Sequence, residues 1–256
     1  MSRYFDLMQQ AGMTEGAFAG SRTDHATEAV QASTDIEDLD AYGSHRGSLN
    51  DAARGEILDL VQRIFLIPAE SPPRVVVFAS VDEQRDASQI CASVARTLAR
   101  VSKRPVCLVE ANFRSPNLSA IFGAANRHGL ADALTVDKPI DSFCQPTTQE
   151  YLWLLPSGAL DADSPSLLTP DGLKSKFTEL RDSFEFVIVH GAPLPGFAET
   201  LILGRVTDGL ALVLEAGSTR REAAATAMEN LRASNIPIVA AVLNKGAAPT
   251  SKKYFR

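Results

Sequence analysis

Cysteine is scarce in this chain: Cys91, Cys107 and Cys144 are the only three in 256 residues, they are widely spaced, and two of them lie in apolar segments. A thiol in such a setting packs as a small hydrophobe, so structural thiols in a reducing compartment are expected rather than a disulfide framework. Histidine is equally sparse. His25, His45, His128 and His190 include no pair at the short helical spacing that metal sites favour, so no metal centre is expected. No long basic run precedes the last few positions and the net charge is −6, which removes support for a nucleic-acid surface. Nowhere do roughly 18 uninterrupted apolar residues occur, the length needed to span a bilayer. The opening residues MSRYFDLMQQ also lack the apolar core of a signal peptide. A soluble cytoplasmic chain with no membrane span of its own is the expectation.

What is present is a hydrophobic content of 45%, enough for a substantial core in one α/β domain of ordinary size. The material is unevenly spread. Residues from Gly12 to about Asn50 carry few large apolar groups and cannot bury enough surface to offset chain entropy, so 1–50 read as a flexible N-terminal arm. Tyr4, Phe5, Leu7 and Met8 put apolar groups at its tip. The domain is expected over 51–245, with 246–256 as a C-terminal tail.

From Asp51 the pattern is helical, with Ile57, Leu60, Val61, Ile64 and Phe65 on one stripe up to Pro68. Unbroken apolar runs then alternate with helical segments. The runs are Arg74–Ser80, Pro105–Glu110, Tyr151–Leu155, Phe186–Val189, Gly209–Leu214 and Ile236–Leu243. Helical segments carry Ile90, Val94, Leu98 and Val101 as one inward stripe, Leu130 with Leu134 as another, and further helices over Leu173–Arg181 and Arg220–Ala233. Apolar strands alternating with helices predict a doubly wound, mostly parallel sheet covered on both faces. Ligands in such sheets bind beyond the carboxyl ends of the strands, so the informative residues are those just after each run.

After the first run comes Ala79-Ser-Val-Asp-Glu-Gln-Arg-Asp-Ala-Ser-Gln89, which contains neither glycine nor lysine. A working P-loop reads G-x-x-x-x-G-K-[ST]: its amides and lysine cradle phosphate and its hydroxyl holds magnesium. Asp82, Glu83 and Asp86 instead bring negative charge to that place. The surrounding pattern nevertheless has an order. It runs through Phe78-Ala-Ser80, Ala92-Ser-Val-Ala-Arg-Thr-Leu-Ala99, Leu108-Val-Glu-Ala-Asn-Phe-Arg-Ser-Pro116 and Gly129-Leu-Ala-Asp-Ala-Leu134. It continues with Leu154-Leu-Pro-Ser-Gly158, Phe184–Val189 and Val242-Leu-Asn244. In this order and spacing, Asp51–Lys245 resembles the bacterial tyrosine autokinases of capsule and exopolysaccharide assembly, which have a P-loop NTPase-like fold. The partitioning and septum-positioning ATPases share the sheet order but lack the Arg-Ser-Pro and Gly-Leu-x-Asp-x-Leu segments.

The resemblance implies a vestigial nucleotide pocket made by Ser88, Glu110, Asn112, His190 and Asn244. Ala87 stands where the family has its lysine, and Gln84 and Asp86 match its glycines. Ser88 keeps the metal-ligating hydroxyl, Glu110 and Asn112 match two aspartates, His190 matches a strand-end aspartate, and Asn244 matches a purine contact. Each residue also has a plain structural reading. Ser88 would cap a helix, Glu110 would pair with Arg114 or a loop amide, His190 would be hydrogen-bonded and partly buried, and Asn244 would form a turn with Lys245-Gly246. The family's ring-forming helix is matched by Glu56, Asp59, Gln62 and Arg63, out of register with its Glu-x-x-Arg-x-x-Arg pattern, and its tyrosine cluster is matched by Tyr254 alone.

Phosphoryl transfer depends on positioning and on cations that offset charge at the γ-phosphate. The expectation is therefore a non-catalytic member of the group, with no catalytic residue, no metal and no cofactor. It would regulate polysaccharide assembly by binding the cytoplasmic part of a membrane chain-length regulator or a paralogous kinase, at the inner face of the membrane, with homo-oligomerisation left open. The alternative is an ATP- and magnesium-dependent autokinase in which Arg85 and Ser88 form an unorthodox phosphate site.

Overall fold

The computed structural model describes residues 51–67, 72–82, 87–161, 163–195 and 198–244. The N-terminal arm, Arg85, Tyr254 and the tail lie outside them. Helix α1 (Asp51–Val61) continues into one π turn over Gln62–Leu66 and buries Ile57, Val61, Ile64 and Phe65. On its exposed side Arg63 is held by Asp59 at 2.8 Å.

Seven strands follow: β1 (Val75–Ser80), β2 (Val106–Glu110), β3 (Gln145–Pro146), β4 (Leu152–Leu155), β5 (Phe186–His190), β6 (Gly209–Glu215) and β7 (Ile238–Asn244). They form one sheet in the order β3-β4-β2-β5-β1-β6-β7, parallel except for the short edge strand β3. The run predicted to open at Tyr151 begins one residue later, because Tyr151 turns the chain at φ 64°.

Side chains alternate across the sheet with the two-residue strand period. Val75, Val77 and Ala79 of β1, Cys107 and Val109 of β2, and Val187 and Val189 of β5 point to one face. That face is covered by α4 (Leu130–Thr135), α5 (Pro170–Ser183), α6 (Ala198–Val206) and α7 (Arg221–Ala233), through Leu130, Phe177, Leu203 and Leu231. Val76, Phe78, Leu108 and Ile188 point to the other face, under α1 and α2 (Ser88–Ser102). Both faces being apolar explains why these strands read as unbroken hydrophobic runs.

Within α2 the buried stripe is Ile90, Cys91, Val94, Ala95, Leu98 and Ala99. Val101, expected to point inward, is 39% exposed. At about 100° per residue it falls between Ile90 and Val94 on the same stripe, and its exposure goes with its place in the last turn of the helix.

From β1 the chain moves through α2 to β2 on one side. From β4 it returns through α5, β5 and α6 to β6 with its helices on the opposite face. Winding therefore reverses beside β1, and the ends of β1, β2 and β5 outline the crevice where sheets of this kind place ligands.

Candidate functional site

Glu110 and His190 are the last residues of two adjacent parallel strands and stand opposite each other in register. Both are buried, at 0% and 1% exposure, and His190 Nδ1 lies 2.7 Å from Glu110 Oε1. With the carboxylate ionised, Nδ1–H donates, a tautomer assigned from the partner. The same Oε1 accepts from the Asn112 amide at 3.1 Å, while Oε2 accepts from the amides of Asn117 at 2.9 Å and Leu118 at 3.0 Å. Two carboxylate oxygens offer about four lone-pair positions. All are used, so a cation ligated there would have to displace a protein donor.

The two amides on Oε2 come from the start of the short helix α3 (Leu118–Phe122). A carboxylate against the first amides of a helix satisfies groups that have no intrahelical partner. Glu110 thus takes the loop-amide alternative. Arg114 pairs instead with Glu199 at 2.6 Å, joining the loop after β2 to α6.

Asn117 is the hub that sequence reading missed. Besides its amide bond to Glu110, its Nδ2 donates to Ser88 Oγ at 3.3 Å. An asparagine directly before the apolar stretch Leu118–Phe122 is a helix-start signal that could have flagged it. Ser88 is not the cap expected of it: the N-cap position belongs to Ala87, and Ser88 is the first helical residue, fully buried. Asn112, 3% exposed, accepts the Ser115 amide at 3.2 Å and so folds the loop after β2 on itself.

Ser88, Glu110, Asn112 and His190 are thereby joined in one hydrogen-bonded network. Asn244 is not part of it. It ends β7, separated from β5 by β1 and β6 in sheet order, roughly 14 Å away by strand spacing, and it is exposed. Its carbonyl accepts the Ala216 amide at 2.8 Å, and the turn proposed through Lys245-Gly246 lies outside the described residues.

The start of the loop after β1 is fastened from within the protein. Ser80 Oγ bridges the amide and carbonyl of Asp82 at 3.1 and 3.0 Å, and the Val81 amide donates to Val213 O at 3.0 Å. The Thr219 hydroxyl donates to the Asp82 carboxylate and accepts the Glu215 amide at 2.8 Å, tying this loop to the one after β6. Of the acidic residues expected near the loop, Glu83 and Asp86 lie outside the described residues.

Surface hollows along α5, lined by Asp171, Lys174 and Thr178, and beside α4, lined by Asp132, Thr135 and Ser164, share no residue with this network. Among the described residues no helix is long and apolar enough to cross a membrane, and no group of three His, Cys, Asp or Glu residues is placed to hold a metal.

No protein-family model matches the chain. It is 29% identical over 181 residues to the tyrosine-protein kinase YwqD of Bacillus subtilis (strain 168), covering 66% of this chain and 76% of that protein. It is 26% identical over 180 residues to the succinoglycan biosynthesis transport protein ExoP of Rhizobium meliloti (strain 1021), covering 69% of this chain but 23% of ExoP. Among solved structures, the kinase domain of the Escherichia coli tyrosine kinase ETK superposes with a TM-score of 0.73 at 18% identity, covering 91% of this chain and 86% of that one.

Proposed function

From a chain whose relatives are bacterial tyrosine-protein kinases and whose fold is theirs, we propose a non-catalytic regulator of exopolysaccharide biosynthesis, acting in the cytoplasm. One observation carries this reading. The carboxylate at the second nucleotide motif, Glu110, has all its acceptor positions taken by His190 and three backbone amides. His190, at the position of the third motif, supplies an imidazole N–H where the family supplies a carboxylate. That donor set suits an internal hydrogen-bonded plug and does not fit magnesium, which needs near-octahedral oxygen ligation. The loop 79–89, with no glycine or lysine, offers no phosphate cradle, and Ala87 is 1% exposed, packed into the core rather than reaching for an anion.

Without phosphoryl transfer, what the chain keeps is a surface. A partner drawn from the same machinery is supported by a relative: ExoP is named as a succinoglycan biosynthesis transport protein, and the chain matches 23% of it. The partner in this proposal is the cytoplasmic part of a membrane chain-length regulator or an active paralogous kinase.

The test is isothermal titration of the full chain with magnesium-ATP, alongside a phosphate-release assay. No binding heat at micromolar concentrations and no release above buffer level are expected. A micromolar dissociation constant, or release that vanishes in Ser88→Ala, would overturn the reading in favour of an autokinase with an unorthodox phosphate site.

A further inference from the structure

The sulfurs of Cys107 and Cys144 lie 3.9 Å apart, in contact on the helical face that carries Trp153, Phe177 and Phe184. Cys107 is on β2, three residues before Glu110, and is fully buried. Cys144 follows the 3₁₀ turn Ile140–Phe143 and precedes the edge strand β3, with 8% exposure. The third thiol, Cys91, is buried on the opposite face of the sheet, among the residues under α1 and α2. The topology thus brings Cys107 and Cys144 together and places Cys91 on the other side of the sheet.

We propose that Cys107 and Cys144 are a latent redox pair, closed to an intramolecular disulfide by a hydroperoxide, and that the bond staples the central strand β2 to the edge of the sheet. The Cys144 thiol, nearer the surface, is oxidised first: its sulfur takes one oxygen from hydrogen peroxide to give a sulfenic acid and water. Cys107 then attacks that sulfur, the S–O bond breaks as the S–S bond forms, and the hydroxyl leaves with the Cys107 proton as a second water. Two thiols and one peroxide thus give one disulfide and two waters. The hydrogen bond to Cys107, followed by burial, pushes the Cys144 thiol well above its ordinary range. Thiolate is the reactive form, so the reaction is slow compared with an exposed sensor thiol and reports sustained rather than brief oxidation. Because the two residues are 37 positions apart, the bond closes a long loop and restricts the unfolded chain.

This inference does not rest on the proposed function, and its test uses no nucleotide. The folded full chain is incubated with hydrogen peroxide, free thiols are blocked, and the protein is digested without reduction for mass spectrometry. The expected product is a bridged peptide pair containing Cys107 and Cys144, lighter by two hydrogen atoms, with Cys91 recovered as a blocked thiol. The oxidised protein should melt several degrees higher and return to its starting value with dithiothreitol. Cys91→Ala should retain the bridge and the shift, whereas Cys144→Ala should lose both. Recovery of Cys107 and Cys144 as blocked thiols, or of Cys144 as sulfinic acid without a bridge, overturns the proposal. So do bridges shared equally with Cys91, which would mean that the unfolded chain reacts. Wild-type mapping decides the matter even if a variant fails to fold.

Discussion

Glu110 Oε1 and His190 Nδ1 meet at 2.7 Å at the ends of neighbouring strands, with both side chains buried. Relatives of this chain are kinases, and the resemblance puts a carboxylate at each of these two positions. Here an imidazole N–H donates to the carboxylate across the two strand ends.

Glu110→Gln should therefore destabilise the fold strongly. The substituted amide group turns donors toward amides that need acceptors, either at Asn117 and Leu118 or at Asn112 and His190. Each buried amide left facing a donor instead of an acceptor costs about 1–3 kcal/mol. Urea melts of wild type and mutant measure it. A loss below about 1 kcal/mol would show that the network does not hold the loop after β2.

At the opposite end of the sheet, Asp208 gathers the amides of Arg74 and Val75 at 2.7 and 2.8 Å and both terminal nitrogens of Arg181 at 3.0 and 2.7 Å. Partial burial pushes its carboxyl upward, but the bonds from Arg181 and the two amides outweigh this and hold it below the ordinary carboxylate range. A carboxylate with a depressed folded-state pKa contributes stability above its unfolded value, near pH 3.9, and loses it as pH falls through the folded value. Asp208→Asn should cost about 1–2 kcal/mol at neutral pH, discounted because the pair is partly exposed. The gap between wild type and mutant should close below about pH 4. A gap that stays constant down to acid unfolding would assign the effect to packing.

The parts of the fold that could be read in sequence are those where burial is two-sided. β1, β2, β5 and β6 are covered on both faces, and so they stand out as apolar runs. Gln145–Pro146 left no such trace, being a two-residue edge strand whose proline cannot donate to the ladder. Helix α3 has five residues, too few for a helical period to show. For the site, Ser88, Glu110, Asn112 and His190 fall within one hydrogen-bonded network: Glu110 and His190 end adjacent strands, Asn112 follows β2 by two residues, and Ser88 opens α2. A loop amide was one of the two partners expected for Glu110, but which amides engage it could not be read, since every residue but proline carries one. Asn244, grouped with them as the match to the family's purine contact, ends β7, three strands from β5 in the sheet order.

Gly129 offers a test of a motif residue whose role is steric. A Cβ there would lie 2.1 Å from Pro156 O and 2.5 Å from Gly158 N, while the Leu130 amide donates to that same Pro156 carbonyl at 2.8 Å. Both obstacles are backbone, so neither can swing aside. Gly129→Ala should cost about 3 kcal/mol, at the upper end for overpacking, by forcing α4 away from the loop after β4. Thermal melts check it, and a neutral effect would mean that the loop after β4 yields freely.

Restoring the family's lysine should not restore its pocket. Ala87 is 1% exposed, sits at the N-cap of α2 and belongs to the apolar cluster under α1 and α2. A lysine placed there must bury its ammonium beside apolar groups, or unwind the start of α2 to bring it to water, and isolated buried charge is strongly disfavoured. A longer side chain also overfills a packed site, which alone costs roughly 1–3 kcal/mol. Ala87→Lys should therefore lose at least that much stability in denaturant melts, with no magnesium-ATP binding at micromolar concentration, because Glu110 still has no acceptor position for the metal. Adding His190→Asp tests the second half of the argument. It removes the imidazole donor and sets a second carboxylate beside Glu110, so the double variant should be less stable still in chelator and should regain part of the loss with millimolar magnesium. Stability equal to wild type for Ala87→Lys, together with measurable nucleotide affinity, would mean that the loop after β1 opens readily and that the phosphate site was merely missing its charge.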